Sequence, residues 1–158
     1  MKKAAKKPTK VLFCAFEAEP FVKTGGLGDV AGSLPIYAKN EDYDVRVILP
    51  KLSAIPEQFR AAMQPVTSFE VELSWRRQYC GLLSLEHRGV TFYFLDNEYY
   101  FKRANVYGEY DDGERIAFFS KAILEAIRHM PDFTPDILHC NDWHTALTPV
   151  YLREQYMI

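Results

Sequence analysis

The apolar run Val11-Leu12-Phe13-Cys14-Ala15-Phe16 is followed, after a glycine-punctuated loop and a helical segment, by a second run, Val45-Arg46-Val47-Ile48-Leu49. Short runs that are almost wholly apolar, without alternation, mark strands buried on both faces. A strand, a helix and a strand with a short return imply a parallel pair joined by a right-handed crossover. Residues 29–40 form the expected helix, with Asp29 as its cap and Val30, Leu34 and Tyr37 on its apolar face. Pro35 should bend or loosen it, and Pro50 stops the second strand.

The middle of the chain is β-rich. Segments 69–75, 79–87 and 90–95 read as strands, with turns at Arg76-Arg77 and Arg88-Gly89, so an antiparallel hairpin feeds another core strand. Residues 99–112 are aromatic, polar and irregular, and read as a surface loop. The clearest helix spans 114–130, with Phe118, Ala122, Leu124, Ala126 and Ile127 on its apolar side and Pro131 at its end. A short strand at 137–140 and a last helix at 144–156 complete an α/β, Rossmann-like, mostly parallel sheet with a β-hairpin insertion. In such sheets ligands lie beyond the carboxyl ends of the strands, which here means loops 17–29 and 141–144.

With 48% apolar and 25% charged residues, the 158-residue chain has the composition of one soluble domain. Nineteen basic against 21 acidic residues give no support for nucleic-acid binding. No apolar stretch is long enough to span a membrane. Cys14, Cys80 and Cys140 are odd in number and widely spaced, which fits no disulfide framework and favours a reducing, cytoplasmic setting. Residues 1–9 are lysine-rich and lack the apolar segment of a secretory signal, so they read as a flexible basic tail before a domain over 10–158.

The stretch Lys23-Thr24-Gly25-Gly26-Leu27-Gly28-Asp29-Val30 carries the strongest chemical signal. Its glycines let a ligand approach the backbone, Lys23 supplies a charge, and the helix behind aims N–H groups and a positive dipole end at the same point. Gly26-Leu27-Gly28-Asp29-Val30-Ala31 matches G-x-G-x-x-A. However, residues 17–25 separate it from the strand, and Leu49-Pro50-Lys51 stands where a dinucleotide fold places an acid. A turn serving only helix–strand packing is the plainer alternative.

The second constellation is His139-Cys140-Asn141-Asp142-Trp143-His144 at the end of the last strand. Its ligand-type side chains allow a metal reading, although alternate strand residues point to opposite faces. Asp142 could also simply cap the last helix. Glu17-Ala18-Glu19-Pro20 brings two acids near Lys23, either as salt-bridge partners or as acceptors for sugar hydroxyls. The stretch 107–115 mixes aromatics with acids, which suits either carbohydrate stacking or a plain surface loop.

Together these residues carry a family resemblance. Lys23 to Val30 followed by Leu34-Pro35, then Val45 to Pro50, Tyr107 with Asp111-Asp112 and Arg115, and Pro135 to His144 resemble bacterial glycogen synthases and plant starch synthases in kind and order. Asp112-Gly113 departs from the Asn-x pairing more often found there. The resemblance implies a retaining glucosyltransferase of the GT-B fold. Such an enzyme moves glucose from ADP-glucose to the non-reducing end of an α-1,4-glucan, with no metal or other cofactor. It implies that Lys23, Gly25, Gly26 and Gly28 contact the donor and that Asp142 is catalytic. Glu17 is implied on the acceptor side, with Tyr107 and His144 as secondary candidates. By the same resemblance the chain is the incomplete, truncated N-terminal half of a GT-B glycosyltransferase, inactive without its C-terminal half or a complementary chain. A non-catalytic glucan- or nucleotide-sugar-binding module is the alternative, and an NAD-dependent oxidoreductase is a weaker one.

Overall fold

The computed structural model describes residues 7–157. Most of the lysine-rich segment lies outside them, and Thr9 already belongs to the first strand. Six strands form one sheet: β1 (Thr9–Cys14), β2 (Tyr43–Pro50), β3 (Gln64–Leu73), β4 (Arg76–His87), β5 (Val90–Asp96) and β6 (Ile137–Cys140). Their order is β3-β4-β5-β2-β1-β6. The four strands β5, β2, β1 and β6 are parallel, and β3 and β4 extend the sheet antiparallel. The apolar runs occupy the parallel centre, where Leu12, Val47, Ile48, Leu49, Phe92 and Phe94 are wholly buried, because both faces of a parallel sheet are covered.

The helices are α1 (Gly26–Ala38), α2 (Glu57–Ala62), α3 (Glu98–Phe101), α4 (Asp112–Ile127) and α5 (Leu147–Tyr151). Helix α1 covers one face, beside Val11, Phe13 and Val45. Helix α4 covers the other, with Ile127 near Leu138 and Cys140. Its face of Phe118, Phe119, Ala122, Ile123 and Ala126 is buried, as its 3.6-residue periodicity requires.

Several sequence expectations give way to packing. Helix α1 begins at Gly26 with Gly25 as N-cap, and Asp29 lies in its first turn without capping it. Its buried side is Gly28, Ala31 and Pro35, whereas Val30, Leu34 and Tyr37 are exposed. The close approach explains the inversion: a Cβ on Gly32 would lie 2.3 Å from the Glu19 carbonyl oxygen, so only small residues fit. The helix runs through Pro35 to Ala38.

The β3–β4 turn falls at Ser74-Trp75, with Ser74 at φ 57°. Arg76 and Arg77 belong to β4, opposite Leu73 and Glu72. The turn at Arg88-Gly89 stands where expected, both residues having positive φ. The stretch 99–112 is not a plain surface loop: Tyr100 and Phe101 sit in α3 and are buried. Arg115 pins this stretch from α4, donating to the carbonyls of Tyr100 (2.7 Å) and Val106 (3.1 Å). The expected single last helix is broken into a 3-10 turn at Trp143–Thr145, α5, and a π-helical turn at Leu152–Tyr156.

Candidate donor-sugar site

Three segments converge beyond the carboxyl ends of β1 and β6. The first leaves β1 and runs through Phe16 and Glu17 to the glycines that start α1. Phe21 anchors it in the core, its ring 4.9 Å from Phe92 and 5.1 Å from Phe94. Burying a phenylalanine contributes about 1.5–3 kcal/mol, so this loop is held rather than free.

The centre of the loop is Glu17, only 1% exposed. One carboxylate oxygen accepts from the Gly25 amide at 3.2 Å and the Gly28 amide at 3.1 Å. The other accepts from the Thr24 hydroxyl at 2.6 Å, the Thr24 amide at 3.2 Å and the Tyr107 hydroxyl at 3.1 Å. This corrects the expectation that these helix N–H groups wait for a ligand. The N-terminus of α1 already holds an anion, and that anion is Glu17. Its carboxylate is therefore turned into the protein.

An outward face remains. Gly25 has extended backbone that any residue adopts. A Cβ on Gly25 or Gly26 would meet nothing within 4 Å among the described residues. The described fold therefore gives neither position a reason to be glycine, whereas close approach of a ligand would. Gly28 differs, because a Cβ there would lie 2.9 Å from Lys23 Cγ and 3.1 Å from Lys23 Cα. It is glycine so that loop and helix can touch.

Lys23 is half-exposed and pairs with Asp29 at 2.5 Å and with Glu19 at 3.7 Å; Glu17 is not its partner. The hydrogen bond raises the Lys23 pKa and lowers that of Asp29.

The second segment is the turn after β6. Asn141 ties it to β1, donating to the Cys14 carbonyl from its amide at 3.2 Å and from Nδ2 at 3.0 Å. Asp142 follows at φ 63° and ψ −178°. A non-glycine residue pays about 1–3 kcal/mol for such a conformation, and such residues cluster at functional sites. Its carboxylate caps the 3-10 turn, accepting from the Trp143 amide at 2.7 Å. The turn is also fixed from α4, where the buried Ser120 hydroxyl donates to the His144 carbonyl at 3.1 Å.

The third segment brings Tyr107 over the turn. The His144 ring stacks against both Phe16 (5.2 Å between centroids) and Tyr107 (4.9 Å), which lie 5.7 Å from each other, with Trp143 at 4.3 Å. Burial lowers the His144 pKa against the opposing pull of Asp142, Glu17 and Asp112. Both ring nitrogens are buried without a hydrogen-bond partner among the described residues. Burial, and then the Glu17 carboxylate, push the Tyr107 phenol up. Trp143 is half-exposed and offers an aromatic face suited to a sugar ring.

The other acids of this loop serve the fold. Asp111 forms a two-point pair with Arg103 at 2.9 and 2.7 Å, and Asp112 bonds Arg115 at 2.7 Å. The proposed metal constellation is not assembled. His139 stacks on Phe13 on the α1 side, whereas Cys140 faces the groove beside Ile127. Among the described residues no group of three or more His, Cys, Asp or Glu side chains could hold a metal ion.

The structure thus gathers Glu17, Lys23, Gly25, Gly26, Tyr107, Asp142 and His144 at one edge of the sheet. Sequence reasoning passed over Phe16 and Ser120 as parts of it. A phenylalanine ending an apolar run and a buried serine in a helix carry no distinguishing pattern.

The family model of the starch synthase catalytic domain matches residues 10–157. The glycogen synthase of Clostridium novyi is 60% identical over 146 residues, covering 92% of this chain and 30% of that protein. The glycogen synthase of Desulfitobacterium hafniense is 53% identical over 147 residues, covering 93% and 32%. The catalytic domain of starch synthase IV from Arabidopsis thaliana, bound to ADP and acarbose, superposes with a TM-score of 0.84 at 28% identity, covering 94% of this chain and 31% of that one. The chain therefore spans about a third of the length of these relatives, and its sheet is the N-terminal Rossmann-like part of a GT-B fold. It belongs to the starch synthase catalytic-domain family.

Proposed function

We propose that this chain supplies one wall of the active site of a glycogen or starch synthase. The reaction is transfer of glucose from ADP-glucose to the non-reducing end of an α-1,4-glucan, with retention and without a metal. One observation carries the reading: Gly25 and Gly26 present open backbone beside Lys23, with no demand for glycine from the described fold. That is what a pyrophosphate lying along the loop needs.

The geometry supports a role for each residue. As ADP departs, negative charge grows on its phosphates, and Lys23 stabilises it after exchanging its Asp29 partner for the leaving group. Glu17 does not touch substrate; it holds the Gly25 and Gly28 amides so that the loop keeps its shape. Asp142, constrained at the end of β6, lines the place of the transferred sugar, and Trp143 offers it a stacking face. The other wall, and with it completion of the site, comes from the C-terminal GT-B half or a complementary chain.

The test is complementation. The purified 158-residue chain is assayed for glucose transfer from ADP-glucose to glycogen, alone and co-expressed with the missing part of the Clostridium novyi relative. Transfer only in the combined sample is expected. Transfer by the chain alone, or restored binding without transfer, would overturn the reading, the latter in favour of a binding module.

A further inference from the structure

Strands β1 and β6 pair in parallel, and their last matched residues are Cys14 and Cys140. Matched residues on neighbouring strands project to the same face, and strands lie about 4.8 Å apart. A disulfide spans Cα separations of about 4.4–6.8 Å, so the backbone already sits within reach of one. The preceding pair, Phe13 and His139, stacks at 4.6 Å on the opposite face, which places both cysteines on the α4 side.

The two thiols are not equivalent. Cys14 is wholly buried. Cys140 is half-buried and lines an apolar groove of about 350 Å³ with Ile127, Leu138, Pro149 and Leu152. The thiol of Cys14, helped by Thr145, holds the Cys140 pKa below its ordinary value against the effect of burial. Cys80 lies apart on β4, where burial pushes its thiol up. A small oxidant can therefore reach one member of a facing pair, with the second directly behind it.

We propose that Cys14 and Cys140 form a peroxide-sensitive dithiol. Hydrogen peroxide transfers one oxygen to the Cys140 sulfur, giving the sulfenic acid, and its other oxygen leaves as water. The Cys14 sulfur then attacks the sulfenic sulfur, the S–S bond forms, the S–O bond breaks, and a second water leaves with the Cys14 proton. Two thiols are oxidised by two electrons and one peroxide is reduced.

The consequence reaches the site. The Cys14 carbonyl is the acceptor for both Asn141 donors, and Asn141 carries the strained Asp142. The disulfide fixes both side chains in one dihedral geometry beneath that anchor, so oxidation moves Asp142 and Trp143. The regulatory meaning rests on the glucosyltransferase reading, whereas the chemistry does not.

The reduced chain is treated with hydrogen peroxide, its remaining thiols are blocked, and its peptides are mapped. The expected product is a Cys14–Cys140 cross-link within one chain, with Cys80 still reduced. Cys14→Ala should leave Cys140 trapped as a dimedone-reactive sulfenic acid, and Cys140→Ser should leave Cys14 reduced. Trp143 emission, isolated in a Trp75→Phe background, should shift on oxidation and return with dithiothreitol. Oxidation of Cys140 to sulfinic acid without a cross-link, equal oxidation of Cys80, or dimers between chains would overturn the dithiol. A cross-link with no change in Trp143 emission would overturn its link to Asp142. None of these readouts involves ADP-glucose, so their failure is distinct from failure of the proposed function.

Discussion

Replacing Glu17 with glutamine keeps the shape of the side chain and removes one acceptor oxygen. The remaining oxygen can still serve the Gly25 and Gly28 amides. The new NH2 then faces the Thr24 amide and the hydroxyls of Thr24 and Tyr107. The hydroxyls can turn and accept, but the Thr24 amide cannot, so one donor loses its partner in a site where Glu17 is 1% exposed. Thr24 is itself exposed and its bond part-buried, so its orphaned donor costs about 1 kcal/mol, the low end of the buried range, and each bond to a carboxylate is about 1 kcal/mol stronger than one to a neutral amide. With two amides still bonded, the sum is about 3 kcal/mol, a large share of the roughly 5–15 kcal/mol that stabilises a domain. Urea unfolding followed by circular dichroism measures it, and hydrogen exchange localises it, with the Gly25 and Gly28 amides exchanging faster. A Glu17→Gln chain within about 0.5 kcal/mol of wild type, the range of surface substitutions, would refute the claim that this carboxylate holds the loop.

Four further outcomes follow from the same geometry. Asp142→Ala should cost about 1 kcal/mol through the lost cap, whereas Asp142→Gly should be more stable than the alanine variant by about 1–3 kcal/mol because it relieves the backbone; urea midpoints compare them. Burial holds the folded His144 pKa below its ordinary value, so the unfolded state binds more protons below about pH 6.5; stability should be complete above that pH, fall as pH drops towards the folded pKa and then level off, and His144→Phe should remove that step from the denaturation profile. Lys23→Ala should raise the Asp29 pKa towards the ordinary carboxylate value in an NMR titration, because Lys23 is the group that lowers it. Gly32→Ala should destabilise the fold, since its Cβ would meet the Glu19 carbonyl at 2.3 Å, while Gly26→Ala should leave the melting temperature near that of wild type.

The strand–helix–strand order was legible because long-range burial leaves a strong local trace: Leu12 to Phe16, and Val45 to Leu49 apart from Arg46, are apolar where the sheet is covered on both sides. Glycine punctuation likewise placed the loop before α1. What stayed hidden depends on proximity. The buried face of α1 is made of Gly28, Ala31 and Pro35, because the chain at Glu19 lies too close for larger residues, and no periodicity of large apolar side chains reports that. Arg76 and Arg77 looked like turn residues, yet their charges fit an exposed ladder, where Arg77 pairs with Glu72. Tyr100 and Phe101 were lost among polar neighbours because α3 is only four residues long. Glu17 is the sharpest case: a carboxylate beside a glycine loop reads the same whether it faces a ligand or its own backbone, and only the folded chain shows that it faces Gly25 and Gly28.

That distinction narrows the role of the loop. Its inner surface is occupied by Glu17, so under the proposed function recognition of an external anion falls on Lys23 and on the open backbone of Gly25 and Gly26. The complemented enzyme allows this to be measured through kcat/KM for ADP-glucose with wild-type and Lys23→Ala chains. Removing one group that stabilises transition-state charge costs about 100- to 1000-fold. A fall of that size, in a chain whose unfolding midpoint is unchanged, is the expected result. An equal kcat/KM for the two chains would contradict the assignment of this loop as a wall of the donor site.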